Sequence, residues 1–92
     1  MPRTSARRIE YSRGFVRSYR RLPNLTKGKF GKQIRLLVVN PSYPSLRVKK
    51  MAGFPDIWEA RIDRFYRFTF YFENGAIRLL SIGSHDEGLV KK

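Results

Sequence analysis

Cysteine is absent from this chain, and histidine occurs once, at His85. Without thiols there is no disulfide framework and no thiolate metal site, and one histidine cannot build a zinc cluster alone. A reducing compartment is the expectation. No apolar run approaches the roughly 20 residues that span a bilayer. The opening MPRTSARRIEYSRG carries bases with no apolar segment behind them. These absences point to a cytosolic protein that uses no membrane, no metal and no cofactor. Internal repeats and low-complexity tracts are also missing. With 92 residues, one domain over 1–92 is expected, with residues 1–7 as a tail. A chain of this size buries only about two thirds of its unfolded surface, which leaves room for a single core.

Acidic side chains are the other scarcity. Seven Asp and Glu face twenty Lys and Arg, and Glu10 is the only acid among residues 1–50. The second half is balanced, so the whole formal charge of +13 lies in the first. A one-sided basic surface attracts polyanions by releasing their counterions, and nucleic acid, ribosomal RNA included, is the commonest such partner. A solubility device, adhesion to an anionic membrane, or an acidic partner protein are the plainer alternatives.

The apolar residues change period partway along the chain. Arg7–Tyr11 reads as a short strand with Ile9 and Tyr11 on one side. Ser12 then suits an N-cap, and Phe15, Tyr19 and Leu22 follow at helical spacing until Pro23. Phe30, Ile34, Leu37 and Val38 predict a second helix ending at Asn40, with Gly28 and Gly31 weakening its start. The outer faces of this helical hairpin carry Arg13, Arg17, Arg20, Lys27, Lys32 and Arg35. From Pro41 the pattern is that of strands: Ser45–Lys50, Ile57–Asp63, Tyr66–Glu73 and Ala76–Gly83, the last two joined by the hairpin signal Asn74-Gly75. Phe68, Phe70 and Phe72 share one side with Trp58, Ala60 and Ile62, which must be the core side. The predicted fold is α+β: a two-helix hairpin packed on one face of a twisted antiparallel sheet of four to five strands.

The opposite sheet face then presents Glu59, Arg61, Arg67 and Tyr71, with His85 at its far end. Cleaving RNA through its own 2′-hydroxyl needs a base for the hydroxyl proton, cations on the phosphate and an acid for the leaving 5′-oxygen, and it needs no metal. Glu59 suits the base, Arg61 and Arg67 the phosphate clamps, and His85 the acid, with Lys49 and Lys50 adding charge. Each residue also has a plainer role. Glu59 could be half of a solvated ion pair, Lys49 and Lys50 surface charge, His85 a turn residue, and Trp58 core. Their shared face is what favours chemistry.

The order of motifs, two basic helices followed by NPSYPSLRVKKMAGFPDIWEARIDRFYRFTFYF and LLSIGSHDE, resembles the RelE/ParE superfamily of bacterial toxin–antitoxin toxins. The similarity runs from about Arg8 onward. Its most specific parts are Trp58-Glu59-Ala60-Arg61-Ile62, Tyr66-Arg67-Phe68 and Gly83-Ser84-His85-Asp86. The resemblance implies a RelE-branch toxin that enters the ribosomal A site and cuts mRNA there, restrained by an acidic antitoxin. It places Arg61 at a basic strand position, Arg67 at the arginine of a Tyr-Arg motif, and His85 where some members have a general acid. Glu59 stands where some relatives carry lysine, which leaves the base open between Glu59 and a substrate-bound water. Relatives often carry an aromatic shortly after the histidine position. Here Leu89 follows instead, which leaves either reduced activity or a different stacking partner such as Tyr71 or Phe65. Lys27, Lys32, Arg35, Lys49 and Lys50 are the expected RNA contacts. Two other functions fit the same residues: a ParE-like inhibitor of gyrase that cuts nothing, and a noncatalytic RNA- or ribosome-binding module.

Overall fold

Asn74-Gly75 turns the chain as a two-residue hairpin must, with φ of 49° and 75°. In the computed structural model, which describes residues 8–84, this turn joins β4 (Tyr66–Glu73) to β5 (Ala76–Ser84). Before them come β1 (Arg8–Tyr11), α1 (Arg13–Arg20), α2 (Asn24–Val39), a 3-10 turn at Pro44–Leu46, β2 (Lys49–Lys50) and β3 (Trp58–Arg61). The five strands form one sheet in the order β1-β5-β4-β3-β2. The tail expected over residues 1–7 and the segment bearing His85, Asp86 and Leu89 lie outside the described residues. No described helix is long and apolar enough to cross a membrane.

The core register is the expected one. Trp58 lies opposite Phe70 and Ala60 opposite Phe68, while Phe68, Phe70 and Phe72 lie opposite Ile82, Leu79 and Ile77. Ile77 and Leu79 have odd positions and Ile82 an even one, so a regular strand would put them on opposite faces. A slip of one residue between Thr69 and Phe70 resolves this. Leu80 becomes the additional residue of a bulge, and all three apolar side chains reach the helix side. Ser12 fastens the bulge to α1: its hydroxyl donates to the Leu80 carbonyl at 2.8 Å and accepts from the Phe15 N–H at 2.9 Å as the N-cap.

Phe15, Leu37, Leu46, Phe68, Phe70, Ile77 and Leu79 are fully buried. A run of ring contacts crosses the layers, Phe15 to Phe30 at 5.5 Å, Phe30 to Phe68 edge-on at 5.2 Å, and Phe68 to Phe70 at 5.8 Å. Each buried phenylalanine contributes about 1.5–3 kcal/mol. That offsets the roughly 1 kcal/mol each for Gly28 and Gly31 inside α2, and the helix runs unbroken through both.

Two features differ from the sequence expectation. The first strand joins β5 in parallel, with Ile9 beside Ile77 and Tyr11 beside Leu79. The sheet is therefore mixed, because α1 carries the chain back along the sheet after β1. The strand expected over Ser45–Lys50 is mostly absent: Pro44 opens a 3-10 turn that ends on Arg47 in the left-handed region, φ 46° and ψ 48°. Only Lys49–Lys50 pairs with β3.

Candidate functional site

Period-two alternation places Glu59, Arg61, Arg67, Thr69, Tyr71, Ser81 and Arg78 on the face away from the helices, in cross-strand rows. Glu59, Thr69 and Ser81 form one row, Arg61, Arg67 and Gly83 the next, and Tyr71 with Arg78 a third. The face divides electrostatically. On the β1–β5 side, Arg78 pairs with Glu10 and, at 3.7 Å, with Glu73, and its guanidinium lies 5.9 Å from the Tyr71 ring centre. Tyr71 first, against an opposing contribution from desolvation, together with Glu10 and Glu73 raises the pKa of Arg78 above its ordinary value. This half is charge-balanced.

The β3 side is not. Arg61 and Arg67 are direct cross-strand partners, an arrangement of like charges that destabilises a sheet. Partial desolvation, then the positive charges of Arg47 and Arg67, lower the pKa of Arg61. Its Nε is buried without a hydrogen-bond partner among the described residues. The carboxylates nearby are committed elsewhere. The Glu59 side chain is only 13% exposed and pairs with Lys49 at 3.7 Å. Asp63 accepts from the N–H groups of Phe65 and Tyr66 at 2.8 and 3.0 Å and from Lys29 at 3.2 Å. Burial opposes ionisation of Asp63, but these donors outweigh it and hold its carboxyl below the ordinary value.

Arg67 is 8% exposed, and its Nη1 donates to the carbonyls of Asp63 and Tyr66 at 2.7 and 3.0 Å. It therefore braces the β3–β4 turn besides supplying charge. Of the expected lysine pair, Lys49 shares the open face with Glu59. Lys50 lies beside Trp58 on the other side, its Nζ 5.6 Å from the indole centre; adjacent strand residues cannot share a face. Lys27 sits 5.5 Å from the Tyr19 ring, on the α1 side of α2. Lys32 and Arg35 are exposed. Phe65 is 62% exposed in the β3–β4 turn, with Arg64 5.5 Å from its ring centre. His85, the expected acid, lies outside the described residues.

Two residues of this region escaped the sequence reading. Arg47 reaches the Arg61 charge only because the 3-10 turn replaces a strand. Gln33 is 5% exposed and donates through Nε2 to the carbonyls of Ser45 and Arg61 at 3.2 and 2.9 Å. It thereby ties α2 to both the turn and β3. Its signal was a polar side chain between Phe30, Ile34 and Leu37 on an otherwise apolar helix face.

At the level of sequence, no family model and no curated protein matches the chain. Solved structures do match in shape. A chain of the archaeal RelE–RelB complex from Pyrococcus horikoshii superimposes with a TM-score of 0.69 at 19% identity, covering 92% of this chain and 100% of that one. YafQ from E. coli gives 0.70 at 18%, covering 86% and 93%. The YoeB/ParE toxin from Agrobacterium tumefaciens gives 0.72 at 15%, covering 85% and 98%. On this likeness in shape, this chain has the RelE-like toxin fold.

Proposed function

We propose that this chain is the toxin of a type II toxin–antitoxin pair, a ribosome-dependent endoribonuclease that cuts mRNA in the ribosomal A site. The observation that carries this reading is the Arg61–Arg67 row, two arginines that are direct cross-strand partners on the sheet face away from the helices, with the neighbouring carboxylates engaged elsewhere. A like-charge pair of this kind is unfavourable alone and favourable around a phosphate. In the proposed reaction the 2′-oxygen attacks phosphorus while the bond to the 5′-oxygen breaks, leaving a 2′,3′-cyclic phosphate and a 5′-hydroxyl. Arg61 and Arg67 stabilise the charge on the pentacovalent phosphate. His85 donates the proton to the leaving oxygen, and Glu59 or a substrate-bound water accepts the 2′ proton.

The proposed restraint is an acidic antitoxin covering the cationic surface. Several structures of similar fold are toxin–antitoxin complexes, among them RelE–RelB and DinJ–YafQ. A second reading, a noncatalytic RNA- or ribosome-binding module, draws on the Glu59–Lys49 pair and on the engagement of Arg67 with the turn. Tightly controlled expression followed by mapping of cellular mRNA 5′ ends separates the two. New ends within translated codons, lost in Arg61→Ala, support the nuclease. Ribosome association without new ends supports the binder.

A further inference from the structure

Arg61 belongs to two surfaces. It stands on the open face, and it also lines a groove of about 460 Å³ between α2 and the β3–β4 turn, together with Lys32, Gln33, Arg47, Asp63 and Arg64. The groove exists because β2 is only two residues long. It pairs with Trp58 and Glu59, so the β3 edge at Ala60–Arg61 lacks a β2 partner, and Gln33 holds the 3-10 turn beside it instead. Asp63, the carboxylate in this lining, is bound by Lys29 and two main-chain N–H groups.

Arg47 is the residue whose placement a stability argument does not explain. Its left-handed backbone, φ 46°, is one that arginine rarely adopts and that glycine takes without a Cβ clash. Arg47 lines the groove with Arg61 and acts on it electrostatically as a like charge. Backbone strain at Arg47 and like-charge proximity to Arg61 meet in the lining of one groove, and an anion bound there relieves the repulsion.

The geometry points to a second phosphate subsite, formed by Arg47 and Arg61 with Lys32 and Arg64, which holds a phosphodiester of single-stranded RNA next to the one on the open face. This rests on the reading of the open face as an RNA site. RNA crossing it would run over the unpaired β3 edge into the groove, with Arg61 shared by two successive phosphates. Recognition is of the backbone, so no base preference is expected here.

The test is titration with a uridine octamer methylated at every 2′-oxygen, so that it cannot be cut, at several KCl concentrations. Each single-strand phosphate contact contributes about 0.7 to the slope of log affinity against log salt. Arg47→Gly removes the charge and suits the backbone, so its Tm should stay within a few degrees of the parent while the slope falls by about 0.7. Arg47→Lys should keep the slope. Unchanged slopes in Arg47→Gly and Lys32→Ala, with the parent binding normally, overturn the subsite and leave the open-face reading standing. A parent chain that does not bind the octamer overturns the subsite, while the open-face reading stands or falls with the mapping of mRNA 5′ ends. If Arg47→Gly weakens polyglutamate binding but not RNA binding, the groove serves an acidic protein and the RNA subsite is refuted.

Discussion

Gln33→Leu should cost this domain far more than an uncharged substitution on a helix normally does. Leucine fills nearly the same volume and adds apolar contact, so packing loss is small. What disappears is a pair of hydrogen bonds, to the Ser45 carbonyl at 3.2 Å and the Arg61 carbonyl at 2.9 Å. The Arg61 carbonyl then faces a side chain that cannot donate, and a buried orphan costs about 1–3 kcal/mol, whereas Ser45 is exposed and water replaces its lost donor. The added apolar burial returns part of this, leaving a net loss of about 1–2 kcal/mol. For a domain of this size that corresponds to a Tm about 4–16 °C lower. The assay is urea unfolding followed by tryptophan fluorescence, since the only tryptophan, Trp58, sits on β3 beside the affected edge. A midpoint equal to that of the parent would mean that Gln33 does not tie the 3-10 turn to the sheet. The groove at Arg47 would then lose its structural basis.

Other substitutions test the remaining supports. Ser12→Ala removes the cap of α1 and the partner of the bulge carbonyl, and should cost about 1–2 kcal/mol by denaturant titration. Arg67→Ala should destabilise the β3–β4 turn by losing two charge-assisted hydrogen bonds, whereas Arg61→Ala should leave the urea midpoint unchanged or raise it, since it relieves repulsion. The folded pKa of Asp63 is depressed. Its contribution is therefore complete above the unfolded carboxyl value of about 3.9 and is lost as pH falls through the lower folded value. The difference in urea midpoint between parent and Asp63→Asn should be large at pH 7 and shrink below about pH 4.

The layers of the fold were legible because two strong local signals agree. Asn74-Gly75 fixes one hairpin, and three alternate phenylalanines fix which face of β4 is core. The faces of β3 and β5 follow from pairing. Less accessible was anything decided by distant partners. The parallel pairing of β1 depends on where α1 packs, and no local pattern marks Arg47 for a left-handed conformation, where glycine or asparagine would be the expected residue. The basic cluster at the β3 edge depends on that conformation, so Arg61 and Arg67 could be named from alternation while Arg47 and Gln33 could not. The expected role of Arg67 also gained a structural component, since its guanidinium reaches main-chain carbonyls that sequence spacing does not reveal.

The central claim, that the open face cuts RNA, is tested most directly with the purified chain and ribosomes carrying a defined mRNA with an A-site codon. The account predicts a single cut within that codon, products ending in a 2′,3′-cyclic phosphate and a 5′-hydroxyl, and no requirement for added metal. Losing Arg61 should slow the cut on the order of 10²–10³-fold, with His85→Ala also impaired and both variants still sedimenting with ribosomes. Intact mRNA on ribosomes saturated with the parent chain would contradict the account, and so would cutting by Arg61→Ala at the parental rate.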